Sequence, residues 1–263
     1  MRRRLDVELV RRGICATRSQ AQAAISEQRV VVGGAPALSN ARRVDANESL
    51  ALTGLAPRFV SRGGDKLAAA LEIFSVPVSG VFALDAGVST GGFTDCLLQN
   101  GAAHVTAVDV GRGQIDWRLR NDKRVTLRER TNVRHLEPRE LVSDSPDGRV
   151  KLAVADLSFI SILTVAPALA RCTTEEAHLV ILVKPQFEAG RSLVGSGGIV
   201  RDPTVHLGVL QRVCAGLDRE QLPVTEAIAS PLTGADGNRE FLVHIDRGGQ
   251  PIEPNYLDEV VAV

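Results

Sequence analysis

Residues 81–92 read Val-Phe-Ala-Leu-Asp-Ala-Gly-Val-Ser-Thr-Gly-Gly, and the fold is decided there. An apolar run of strand length ends on Asp85, passes through small residues, and opens a helical pattern over Phe93 to Gln99. This is the order in which an α/β sheet offers a nucleotide-type ligand to its rim. The spacing departs from Gly-x-Gly-x-x-Gly and no Gly-Lys-Ser/Thr follows, which disfavours both the dinucleotide fingerprint and the P-loop. A ligand without a pyrophosphate fits better. Gly87, Ser89, Thr90 and Gly92 leave room against the backbone, and a second apolar run from His104 ends on Asp109-Val110. Asp85 suits a ligand ammonium and Asp109 a ribose diol; S-adenosylmethionine carries both groups.

Downstream, strand-like and helical patterns alternate. Strands are expected near 81–85, 104–110, 124–128, 151–156 and 178–184, with helices near 91–100, 113–121, 136–142, 160–171 and 202–218. That alternation argues a doubly wound parallel sheet. Two final strands, near 225–230 and 240–246, are separated only by the turn-rich Pro231 to Arg239, so they are expected to pair antiparallel at the sheet edge. Upstream, Asp65 is expected to cap a helix with Leu67, Leu71 and Phe74 on one face. Lys66 in its first turn opposes the helix dipole; surface exposure or a task other than helix stability explains it.

The first 62 residues hold eleven arginines and no lysine against five acids, an excess of six positive charges cancelled by the remainder, since the whole chain sums to +0. One end is built to meet phosphate. Helices are expected over Leu5 to Gly13 and about Ser19 to Gln28, the second capped by Thr17 or Ser19, followed by strands at Arg29 to Val32 and Glu48 to Leu52. Gly54-Leu-Ala-Pro57 marks the boundary, giving domains over 1–56 and 65–263 and a linker over 57–64.

A chain of 263 residues removes about 70 to 75% of its unfolded surface from water, enough for a core without staples. Cys15, Cys96, Cys172 and Cys214 are scattered and form no Cys-x-x-Cys, so each reads as a small buried apolar residue in a reducing, cytoplasmic setting. No secretion signal follows Met1 and no run approaches the roughly 20 residues of a membrane span. No metal, membrane or obligate protein partner is expected.

Just beyond the carboxyl ends of strands stand Asp156, after Lys-Leu-Ala-Val-Ala, and Lys184, after His-Leu-Val-Ile-Leu-Val. A lysine on so apolar a strand is costly without a task. Glu240 opens the last strand at the same rim. Glu188 to Arg201, rich in glycine, reads as a mobile lid with Arg191 and Arg201 available to phosphate, or as a passive loop. Trp117 is expected in the core or at a packing edge rather than as a base-stacking platform.

The segment Arg-Leu-Asp-x-x-Leu-Val-Arg-Arg-Gly from Arg4, followed by Val-x-Val-x-Gly, resembles the S-four-type RNA-binding domain. That likeness implies that Arg3, Arg4, Arg11, Arg12 and Arg18 face RNA phosphates. Ser-Arg-Gly-Gly-Asp-Lys-Leu (61–67), Leu-Asp-Ala-Gly-x-Ser-Thr-Gly-Gly-Phe-Thr (84–94), Ala-Asp-Leu-Ser-Phe-Ile-Ser (155–161), Val-Lys-Pro-Gln-Phe-Glu (183–188) and Gly-Asn-x-Glu-Phe (237–241) together resemble the TlyA family. Its members are ribosomal RNA 2'-O-methyltransferases, often called haemolysins, with an FtsJ-like catalytic domain. The resemblance implies an α/β, Rossmann-like methyltransferase domain with an antiparallel last strand behind a small α+β RNA-binding domain. It also implies cytidines of ribosomal RNA, within ribosomal subunits, as substrate, and a Lys-Asp-Lys-Glu tetrad at Lys66, Asp156, Lys184 and Glu240. The family commonly carries a tryptophan where this chain has Phe59.

A ribose hydroxyl needs alignment and a base. Two lysines about 5 Å apart at a dielectric of 20 repel by roughly 3 kcal/mol, which pushes one toward neutrality, while Asp156 and Glu240 oppose that. Lys184 as base and Lys184 as a group that only orients the hydroxyl both stay open. The competing reading is a non-catalytic RNA-binding assembly factor that keeps the fold as a scaffold.

Overall fold

A computed structural model describes residues 2–15, 17–26, 28–54, 57–141, 148–234 and 237–262. The chain divides into two compact units, 1–57 and 58–263; Leu55 and Ala56, at the expected boundary, lie outside the described residues.

In the first unit, helices Leu5–Arg11 and Arg18–Ser26 pack beside a three-stranded sheet ordered Ala35–Pro36, Val30–Val32, Leu50–Leu52 and a strand pair, Arg3–Arg4 with Arg43–Val44. Leu5, Leu9, Ala21, Ile25, Val30 and Val32 close its core. Thr17 Oγ1 caps the second helix by accepting from Gln20 N–H at 3.2 Å.

The second unit is a seven-stranded sheet. Its strands are β1 (Phe82–Ala86), β2 (His104–Val108), β3 (Val125–Arg128), β4 (Val150–Ala155), β5 (Thr173–Val183), β6 (Val224–Ala229) and β7 (Phe241–Asp246). Their order is β6-β7-β5-β4-β1-β2-β3. β7 runs antiparallel to both neighbours and the other pairings are parallel. Helices Ile162–Cys172, Pro203–Arg219 and Tyr256–Ala262 cover one face; Arg62–Ile73 and Gly92–Gln99 cover the other. Alternation along β1 turns Leu84 and Ala86 to the first layer and Ala83 to the second.

Three elements differ from expectation. The helix expected to start at Asp65 spans Arg62–Ile73, with Ser61 at its N-cap and Asp65 inside the first turn. Gly63 and Gly64 are poor helix formers, but close packing requires the second: a Cβ on Gly64 would fall 2.3 Å from the Phe59 ring, and one on Gly92 of the neighbouring helix 2.3 Å from Ser61 Oγ. The helix expected over 113–121 shrinks to Trp117–Arg120, capped by Asp116. That expected over 136–142 becomes two single turns, Val133–His135 and Pro138–Glu140, with Val142 outside the described residues. Among the described residues no helix is long and apolar enough to cross a membrane.

On β7, buried His244 donates from Nδ1 to Glu226 Oε2 at 3.0 Å, shares a hydrogen bond through Nε2 with His178 Nδ1 at 3.1 Å, and stacks on Phe74. Burial lowers its pKa, with Glu226 opposing and His178 adding to the shift. The unfolded chain therefore binds that proton more tightly; the stability His244 contributes is present above about 6.5 and is lost as pH falls below it. Urea titrations at about pH 7.5 and about pH 5.5 should show wild type losing ground to His244→Gln on acidification; a pH-independent gap between the two proteins contradicts this.

Candidate active site

Strand register alone gathers four functional side chains along one rim. Ala86 pairs with Val108 and with Ala155, so Gly87 follows β1 between Asp109 beyond β2 and Asp156 beyond β4. Val183 pairs with Phe241, which sets Lys184, at the end of β5, beside Glu240, at the start of antiparallel β7. The crevice lies where the strand order reverses at β1 and β4, the usual ligand position of an open α/β sheet.

A cavity of about 160 Å³ opens there, lined by Ser61, Lys66, Gly87, Ser89, Thr90, Gly92 and Asp156, among others. Gly87 has φ +93°, and a Cβ would come 2.5 Å from the Asp156 carbonyl oxygen; only glycine serves. Asp109 is fixed by two backbone donors, Ser89 N–H at 2.8 Å and Gly111 N–H at 2.7 Å. Beside it Val110 exposes its apolar side chain.

Asp85 departs from expectation. Its carboxyl is wholly covered: Thr94 Oγ1 donates to Oδ2 at 2.6 Å, while Oδ1 has no hydrogen-bond partner among the described residues. Burial pushes its pKa up to about 7, against the Thr94 hydrogen bond, and Asp156 adds to the rise. A direct contact with a ligand ammonium would require this residue to be uncovered; its carboxyl is tied instead to Thr94 of the following helix.

The two lysines and two carboxylates resolve into two ion pairs. Lys66, buried in the first turn of its helix, pairs with Glu240, also buried and 174 residues away. The pairing accounts for a cation placed against the helix dipole. Lys184 Nζ lies 2.5 Å from Asp156 Oδ1, off the hydrogen-bonding direction, and donates to Ser158 Oγ at 3.0 Å.

Several side chains were not singled out by sequence reasoning. Phe159, 91% exposed with φ +63°, stands beside Phe187 at 4.9 Å between ring centres. A non-glycine residue in that region is strained unless its surroundings hold it; here Ser161 caps the next helix and, with Ile162 N–H, binds Glu188. An aromatic inside Asp-Leu-Ser-Phe-Ile-Ser, in a chain with 3% aromatics, was the available signal. Buried Asn238 accepts from Val200 N–H at 3.0 Å and donates to Gly198 O at 2.9 Å. The glycine-rich segment is thus anchored at Glu188 and at Gly198 to Val200, rather than hanging as a free lid. Trp117 is 72% exposed, contrary to the core or packing-edge expectation.

In the first unit, buried Asp6 holds Arg4 and Arg18, and buried Glu8 holds Arg11 and Arg12, with Arg3 at 3.9 Å. The Arg4 hydrogen bond, foremost, keeps the Asp6 carboxyl well below its usual range, and Arg11 does the same for Glu8. These acids fan the guanidinium groups of Arg4, Arg11 and Arg18 toward solvent. Arg12 differs from expectation: it donates to the carbonyls of Asp45, Ala46 and Glu48 and acts as a staple within the unit.

The FtsJ-like methyltransferase family matches residues 59–247 and the S4 domain matches residues 3–50. The chain is 47% identical over 243 residues to the 16S/23S rRNA (cytidine-2'-O)-methyltransferase TlyA of Mycobacterium tuberculosis, covering 92% of this chain and 89% of that one. A provisionally named rRNA methyltransferase of Bacillus subtilis, YqxC, is 43% identical over 97% of this chain and 90% of its own. The solved structure of a provisionally named hemolysin from Streptococcus thermophilus superposes with a TM-score of 0.78 at 41% identity, over 99% of this chain and 94% of that one.

Removing one partner of a buried pair leaves the other charge uncompensated. Glu240→Gln should lower unfolding free energy by about 3 kcal/mol, whereas Lys66→Met combined with Glu240→Gln should recover most of that loss. Denaturant unfolding of wild type and the two variants checks it; a double variant no more stable than Glu240→Gln would show that the pair is not buried as described.

Proposed function

The chain belongs to the TlyA group of FtsJ-like methyltransferases, and on that premise we propose that it methylates the ribose 2'-hydroxyl of cytidines in ribosomal RNA, using S-adenosylmethionine. The observation that carries the reading is the convergence of the Lys66–Glu240 and Lys184–Asp156 pairs beside the Gly87–Gly92 crevice.

The residues present fit the cofactor. Asp109, rigidly held, suits a ribose diol and exposed Val110 an adenine face, while Gly87 and Gly92 line the crevice between them with bare backbone. When bound, S-adenosylmethionine supplies a methyl group already activated by its sulfonium. The protein's part is alignment and removal of one proton.

Lys184 Nζ, reaching the rim between Asp156 and Ser158, is the group assigned to the hydroxyl: after releasing its own proton to solvent, the neutral amine takes the hydroxyl proton as the ribose oxygen attacks and returns to the ammonium that pairs with Asp156. Asp156 holds that amine in place. Glu240 neutralises Lys66, so that Lys66 positions its neighbours without adding an unpaired charge to a buried site. Phe159 offers an exposed ring to the base of a target nucleotide turned out of its stack, as chemistry inside structured RNA requires. The S4 unit supplies phosphate contacts through Arg4, Arg11 and Arg18, which are held outward by Asp6 and Glu8.

Ribosomal subunits incubated with the protein and methyl-labelled S-adenosylmethionine should yield 2'-O-methylcytidine in nuclease digests. Label on a base, or cofactor and RNA binding without transfer, contradicts the proposal; the second result would favour the scaffold reading.

A further inference from the structure

We propose that the surface around Trp117 is a second RNA-contacting site, on the methyltransferase unit, which grips the strand flanking the target nucleotide by stacking one base on the indole and pairing phosphates with Arg112 and Arg130. The inference rests on the RNA substrate proposed above and extends it to a surface that the catalytic chemistry does not use.

Trp117 is the chain's single tryptophan, and 72% of it is exposed. Single apolar side chains are common on protein surfaces, but tryptophan, with one apolar face and one polar N–H, is enriched at interfaces. Here the charge is basic. Glu129 accepts from Gly113 N–H and from Arg120, both at 2.5 Å, with Arg112 near enough to act on its charge; Arg130 follows it in the chain. Arg118 extends from the next position, tied at 3.1 Å to Asp116. Arg112, Arg118, Arg120 and Arg130 therefore outnumber Glu129 and Asp116, and all four arginines are exposed. An aromatic face interleaved with guanidinium groups is the chemistry that binds single-stranded nucleic acid.

Continuity with the catalytic rim gives the surface its role. Asp116 N–H donates to Thr90 O at 3.1 Å, and Thr90 lines the cofactor crevice. Arg130, with φ +56°, follows the carboxyl end of β3 and donates its N–H to Gly111 O at 3.1 Å, beside Asp109. The patch thus lies at the same edge of the sheet as Lys184, four strand positions away in the order β5-β4-β1-β2-β3. At about 4.8 Å per strand the separation is about 19 Å, spanned by about six nucleotides at the 3.4 Å spacing of a stacked strand. A single RNA strand is the occupant that meets both the charge and the reach.

The lone tryptophan reports on its own site. Titrating the full-length protein with an oligocytidylate of about twelve nucleotides should quench its fluorescence, while S-adenosylmethionine alone should leave the emission unchanged. Trp117→Ala should raise KM for ribosomal subunits about tenfold, the loss of one stacked base, with kcat and cofactor Kd moved less. Arg112→Glu with Arg130→Glu should flatten the slope of log K against log salt by about 1.4, two single-strand phosphate contacts. RNA binding detected by anisotropy with unchanged tryptophan emission overturns the proposal, as does quenching by cofactor alone, which would assign Trp117 to the cofactor pocket. Wild-type methyl transfer is measured alongside. Transfer with neither quenching nor a KM effect refutes this surface and leaves the methyltransferase reading intact; absence of transfer refutes that reading, while the quenching result still decides the surface.

Discussion

The site depends on the reversed direction of the last strand. Had β7 run parallel to β5, its first residue would sit at the opposite edge of the sheet, and Glu240 would lie a strand length from Lys184 and Lys66. Antiparallel pairing of Val183 with Phe241 instead brings the beginning of one strand to the end of the other. A carboxylate from late in the chain thereby meets an ammonium from the helix that precedes β1. The helix in turn reaches the crevice because Gly92 lets the two backbones approach closely: a Cβ there would come 2.9 Å from the Gly64 nitrogen.

Electrostatics then sort the rim by burial. The Lys66–Glu240 pair is closed away from water, where an unpaired charge would be expensive; Lys184 and Asp156 are less covered and stand at the mouth. Asp85, deepest of all, is held with a pKa raised to about 7 by its burial, with Asp156 adding to the rise. The gradient from a buried, neutralised pair to a partly open one is what a reaction at an RNA ribose demands: a fixed frame behind, and an amine facing the substrate.

Much of this was legible in the sequence. The apolar runs before Asp85, Asp109, Asp156 and Lys184 announce strands whose ends converge, and the missing helix between the last two strands announces antiparallel pairing. The approach of Lys66 to Glu240 has no local signature, because 174 residues separate them; family resemblance supplied it where spacing does not. The helix begins at Arg62 rather than Asp65 because it continues through Gly63 and Gly64, where tertiary packing overrides the low helix propensity of glycine. Phe159 and Trp117 were obscured for a different reason: whether an aromatic faces in or out depends on one backbone angle or on the length of one short helix. Arg12 shows the same limit from the other side, since a guanidinium that reads as phosphate-facing is engaged by three carbonyls of its own unit.

The central claim is that Lys184, framed by Asp156 and neighbouring the Lys66–Glu240 pair, moves the proton that releases the ribose oxygen. Single-turnover methyl transfer by Lys184→Ala, with RNA and cofactor affinities measured on the same protein, tests it most directly. The account predicts transfer reduced by about a thousandfold or more, within the 10² to 10⁴ range of a lost general base, with both affinities nearly unchanged. Turnover within a few fold of wild type would contradict it.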